Sequence, residues 1–197
     1  MDRDSLLATP DLRVGRPALR VGVVGHRKFA EPERVRTGIR AALARIRGTW
    51  GDRPLILVSS LAEGADRLAV EVGREEPFRA GLEALLPLPP EEFRRDFPDA
   101  HSSREFDGFL AVAQDVRLAR ESEHLEVVAP GMRERAYAAA ASELVACSDV
   151  LLAVWDGAPA RGPGGTAETV ELVRRSGKPL AWVHTADPGG VSYEGWP

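Results

Sequence analysis

Three glycine-bearing segments hold the residues whose types and spacing could do chemistry. In VGVVGHRKF, Gly25 permits a tight turn and close backbone approach. His26 and Arg27 follow it with hydrogen-bond donors, Arg27 in the planar fork that suits phosphate or carboxylate. In VSSLAEGADRLA, Ser59 and Ser60 offer hydroxyls, and Gly64 allows an unusual backbone angle before a helix whose first amides can face an anion. Glu63 and Asp66 stand in the same loop, where acids also serve as plain helix caps. In VWDGAPARGPGGTAETV, Gly162, Gly164 and Gly165 let backbone N–H groups converge, and Thr166 opens a helix whose positive end faces the same spot. Asp156 and Gly157 lie at its beginning, and Glu168 two residues past Thr166. This segment is the best phosphate cradle in the chain. It is neither a Walker A loop, since no Gly-Lys-Ser/Thr follows, nor a GxGxxG fingerprint.

The surrounding pattern positions these loops at the ends of strands. Residues 19–24 form an apolar run that reads as a buried parallel strand, and 32–47 as a helix with Val35, Ile39, Ala42, Leu43 and Ile46 on one stripe. The unit repeats as a strand over 55–58 and a helix over 67–74. A strand at 82–86 precedes Pro87, Pro89 and Pro90 and a short helix in EEFRRDF. Further on, the pattern predicts a helix over 106–113, short strands near Val116 and Val127, and an alanine-rich helix over 132–147. A strong strand follows at 150–155, then a helix over 167–176 and a last strand at 179–184. Such alternation requires crossovers, and therefore an α/β fold of Rossmann-like type: a mainly parallel sheet with helices on both faces. Residues 1–18 read as a flexible lead-in and 19–197 as one domain.

Bulk properties narrow the function. At 197 residues, with 44% hydrophobic and 28% charged residues, the chain can bury a core without disulfides or metals. A net charge of -4 argues against a nucleic-acid partner, since such proteins present a basic face. No apolar run approaches the roughly 20 residues of a membrane span or forms a signal sequence, so a cytoplasmic protein without membrane contact is expected. Cys147 is the single cysteine and reads as a small buried residue; no metal site and no cofactor is expected. Tyr137 reads as a packing residue, Trp155 as half core and half pocket wall, and His101, His124 and His184 as surface or loop residues.

Taken together, VGVVGHR, VSSLAEGADRLA and SDVLLAVWDGAPARGPGGTAETV resemble the SLOG superfamily, which includes the DNA-processing protein A and Lonely Guy branches, over residues 19–184. The resemblance implies a nucleotide-derived ligand, with Gly25 to Arg27, Ser59 to Gly64 and Gly164 to Glu168 lining the site. It also implies a homodimer, for which the run Ala136 to Ala141 offers close helix packing, and a sensor that works beside a separate effector protein or alone.

The Lonely Guy phosphoribohydrolases carry PGGxGTxxE, with a catalytic Glu three residues after the Thr. Here that position is Thr169, and the acid is Glu168. Their Arg-Lys pair falls on Ala140, and the nearest arginines are Arg133 and Arg135. A binding or sensing module for a nucleotide derivative is therefore the leading expectation. The alternative is hydrolysis of a nucleoside monophosphate at its N-glycosidic bond. In that reading Glu168 or Glu63 is the acid/base group, Arg27 or Arg135 holds phosphate, and Asp156 contacts ribose hydroxyls.

Overall fold

The structure, a computed structural model, describes residues 16–122, 131–159, 164–187 and 190–197. Seven strands form one sheet: β1 (Leu19–Gly25), β2 (Leu55–Ser59), β3 (Gly81–Leu86), β4 (Asp115–Leu118), β5 (Val150–Trp155), β6 (Leu180–His184) and β7 (Val191–Glu194). The helices are α1 (Pro32–Trp50), α2 (Ala65–Arg74), α3 (Pro90–Arg94), α4 (Ala100–Val112), α5 (Met132–Cys147) and α6 (Thr166–Ser176). The spatial order is β4-β3-β2-β1-β5-β6-β7, parallel throughout except for the β6–β7 pair. The chain winds outward from β1 to β4, and α5 then carries it back to β5 on the other side of β1. This is the Rossmann-like α/β architecture that the alternation requires.

Period-two patterning divides the core into two layers. Val150, Leu152 and Val154 of β5 join Leu19, Val21 and Val23 of β1 against Ile39, Leu43 and Ile46 of α1. The alternate residues Leu151, Ala153 and Trp155 face Ala140 and Leu144 of α5 and Val170 and Val173 of α6. Helices α1 and α2 thus cover one face, and α5 and α6 the other. Leu152 is fully buried, so truncation to Ala costs about 2–5 kcal/mol.

Several local outcomes differ from the sequence pattern. Helix α4 begins at Ala100, six residues before the expected start, because Asp99 caps it by accepting the Ser102 N–H at 2.9 Å. Strand β7 was not expected; Arg174 of α6 anchors it through two 2.8 Å bonds to Glu194. His184 is not a loop residue: it ends β6, stacks on Trp182 at 4.2 Å and lies 2.6 Å from Ser192 Oγ. Cys147 is half-buried at the end of α5 rather than enclosed, whereas His101 is exposed on α4 as expected. The expected strand near Val127, together with His124, Gly162 and most of the lead-in, lies outside the described residues. Among the described residues no helix is long and apolar enough to cross a membrane.

Candidate functional site

A cavity of about 370 Å³ opens at the carboxyl ends of β1 and β5. This is the point where the chain leaves the sheet in opposite directions, the usual crevice for ligands in a doubly wound sheet. Gly25, His26 and Arg27 contribute from the end of β1 and the loop after it, Ser60 from the loop after β2, and Asp66 from the first turn of α2. Gly164, Gly165 and Thr166 contribute from the start of α6, while Tyr137, Leu144 and Trp155 form an apolar wall.

Backbone contacts fix these loops to one another. His26 donates its N–H to Val154 O at 3.0 Å, and its own carbonyl accepts the Ala65 N–H at 3.1 Å. Gly64 has φ 75°, and a Cβ there would lie 2.6 Å from Arg27 C and 2.7 Å from His26 O. Only glycine lets the second loop press onto the first. At Gly164, with φ 71°, a Cβ would stand 2.5 Å from Tyr137 C and 2.7 Å from Ala138 N, so the third loop lies directly on α5.

Arg27 reaches the cavity through weak tethers. Its Nη2 donates to Tyr137 Oη at 3.3 Å and its Nη1 to Asp96 O at 3.4 Å. Tyr137 donates its hydroxyl to Asp96 Oδ2, and Arg133 donates to Asp96 Oδ1. Burial, reinforced by Asp96, holds the Tyr137 phenol well above its usual range, so it remains a donor. His26 Nε2 lies 2.9 Å from Asp156 Oδ1, which also accepts the Ala158 N–H at 2.8 Å. Asp156 also donates its N–H to Nε2 at 3.3 Å, so its backbone and side chain together hold the imidazole at the cavity edge.

Asp66 is 5% exposed and sits in the cavity lining. Its Oδ2 accepts the Ser59 hydroxyl at 3.0 Å and the Ala62 N–H at 3.3 Å, while Oδ1 accepts no hydrogen bond among the described residues. Burial pushes its carboxyl up to about 6, against the opposing pull of the Ser59 and Ala62 bonds and of Arg27 and Arg67.

No side chain caps the N-terminus of α6. Its first-turn amides therefore retain donors, and the helix adds its positive end. Glu168 is not in the cavity lining; it accepts the Gly164 N–H at 2.7 Å. Glu63 accepts the Ser102 hydroxyl beside Arg67, also away from the lining. Arg135 is exposed on α5 and borders a separate groove with Arg117, Arg120 and Glu143. The structure thus places none of the three expected acid/base or phosphate residues Glu168, Glu63 and Arg135 on the cavity. Ser59 lies buried behind Asp66, and Gly157, with φ 83°, packs near Trp182. Among the described residues no group of three or more His, Cys, Asp or Glu side chains could hold a metal.

Sequence reasoning missed the part α5 plays. Tyr137, Ala140, Ala141 and Leu144 all line the cavity, and their i, i+3, i+4, i+7 spacing is one helix stripe that the alanine-rich composition obscured. Asp96, which organises Tyr137 and Arg133, carried no sequence signal because its partners lie 41 and 37 residues away. No protein-family model matches the chain, and no curated protein does.

Proposed function

We propose that the protein binds a nucleotide or nucleotide derivative in the cavity at the ends of β1 and β5, as a binding or sensing module. The observation that carries this reading is the uncapped N-terminus of α6, which opens into the same 370 Å³ space as the Arg27 guanidinium. Amide donors at a helix end and a planar cation lining one cavity suit a phosphate. The apolar wall of Tyr137, Leu144 and Trp155 supplies a surface for a base, and the volume falls in the range of about 300–1,000 Å³ common for small-molecule sites. The likeness of the three loops to the SLOG superfamily supports the same ligand class.

The binding reading is favoured over N-glycosidic hydrolysis because Glu168 and Glu63 are engaged elsewhere. Thermal melting with ribonucleoside mono-, di- and triphosphates tests it: at least one raises Tm by binding the native state. No shift with any of them refutes it.

A homodimer and a separate effector protein belong to the same proposal. Ala136, Ala140 and Ala141 are buried within the subunit, which leaves Ala138, Ala139 and Ser142 along the outer groove of α5 to meet a second copy.

A further inference from the structure

The cavity lining carries both donors and an acceptor. Arg27 and the first-turn amides of α6 can only donate, whereas Asp66 Oδ1 accepts no bond among the described residues. The two oxygens of Asp66 have different surroundings. Oδ2 closes the turn at residues 59–62 by accepting from Ser59 and Ala62, a task that fully accounts for it. Oδ1 performs no such task, although its side chain is nine-tenths buried and lines the cavity. Among the described residues the fully enclosed side-chain atoms without a partner are Arg47 Nε and Arg67 Nη2; Asp66 Oδ1 is not one of them and is open to a donor from the cavity.

Resting on the nucleotide reading above, we propose that Asp66 Oδ1 receives a hydrogen-bond donor of the bound nucleotide, a hydroxyl or amino group remote from its phosphate, and that the site thereby rejects analogues lacking that donor. A phosphate cannot take this place, because its charge would face a carboxylate. The ligand is therefore oriented, with its anion toward Arg27 and α6 and its donor toward Asp66. Discrimination of this kind is strong in a buried site, because a missing donor leaves the acceptor desolvated and unpaired.

Protonation provides an independent readout. The charged or titratable groups around Asp66 are Arg27 and His26 from the β1 loop, Arg67 from α2 itself and Tyr137 from α5. An ionised Asp66 accepts more strongly than a neutral one, so affinity rises from pH 5 to pH 7.5. Phosphate monoesters also ionise in this window, and comparison with Asp66→Asn isolates the contribution of the carboxylate.

The experiment is titration calorimetry of the wild type and Asp66→Asn with the four ribonucleoside 5′-monophosphates. The 2′-deoxy and 3′-deoxy forms of the best binder and its analogue without the exocyclic amine complete the series. The expected result is a loss of about 10- to 100-fold in affinity for Asp66→Asn. One analogue loses a similar factor in the wild type and little more in Asp66→Asn, which identifies the hydroxyl or amine concerned. The rise in affinity from pH 5 to pH 7.5 is smaller in Asp66→Asn than in the wild type. If a nucleotide binds the wild type but no analogue and no Asp66→Asn substitution weakens it, the nucleotide reading stands and this proposal falls. If no nucleotide binds the wild type, the nucleotide reading falls and takes the proposal with it. Where Asp66→Asn does not fold, the analogue series on the wild type decides by itself.

Discussion

Gly164 donates its N–H to the Glu168 carboxylate at 2.7 Å, so the acid in the first turn of α6 is engaged in holding the loop before the helix. Glu168 reaches back to an amide two residues before α6 begins and leaves the first-turn amides themselves uncapped. A carboxylate so engaged is not available to a glycosidic bond.

The expected outcome is that adenosine, guanosine, cytidine and uridine monophosphates release no free base above background, as measured by chromatography. Glu168→Ala costs about 1–2 kcal/mol of stability in chemical denaturation. Base release by the wild type that disappears in Glu168→Gln would establish the hydrolase instead.

Asp66 makes stability depend on pH in a defined direction. Its carboxyl is raised by burial from 3.8 to about 6, so between those values the folded chain binds more protons than the unfolded one. Stability contributed by this group is therefore full below about pH 4, falls as pH rises through 6, and is level above 7; two units correspond to about 3 kcal/mol. Denaturant midpoints from pH 4 to 8 should show this decline in the wild type minus Asp66→Asn difference. A flat or rising difference contradicts it.

Gly64→Ala places a methyl group against the backbone of Arg27 at a position where φ is 75°. The expected cost is about 3 kcal/mol or more, with loss of nucleotide binding because the Arg27 loop must move. A melting temperature within a degree of the wild type would show that the two loops are not joined as described.

The strand-loop-helix units were legible in the sequence because buried parallel strands are continuous apolar runs, and Val150–Trp155 is one such run. Gly25, His26, Arg27, Ser60, Asp66, Gly164, Gly165 and Thr166, which line the cavity, were legible as neighbours because every parallel strand delivers its following loop to the same edge of the sheet. Glu63 and Arg135 were not separable from them, since the direction of a side chain on a loop or helix depends on distant partners. Ser102 turns Glu63 away, and Arg135 lies on the face of α5 opposite the Tyr137 stripe. Strand β7 was hidden for a similar reason: its four residues VSYE have weak patterning, and pairing with β6 and Arg174 defines it.

Assembly through α5 predicts light scattering at twice the 21.3 kDa of the chain. Ala139→Arg, at the outer groove, should return the protein to a monomer without lowering secondary structure. A wild type that elutes at the mass of one chain refutes the dimer and leaves the cavity untouched.

Arg27 is held by bonds of 3.3 and 3.4 Å and by a half-exposed ion pair with Asp96 at 3.9 Å, so Arg27→Ala should change stability by less than about 1 kcal/mol while weakening nucleotide binding about 10- to 100-fold. Calorimetry alongside denaturant unfolding separates the two effects. Equal affinity in the variant would remove the guanidinium from the site.

Thr166→Asp gives the most direct test of phosphate binding at the start of α6. Thr166 is the first residue of the helix and lines the cavity, so an aspartate there favours the helix dipole but occupies the anion position with negative charge. In titration calorimetry with the nucleotide that binds the wild type most tightly, the account predicts affinity at least 10-fold weaker in Thr166→Asp, with a melting temperature equal to or above that of the wild type. Unchanged affinity in the folded variant would contradict the account.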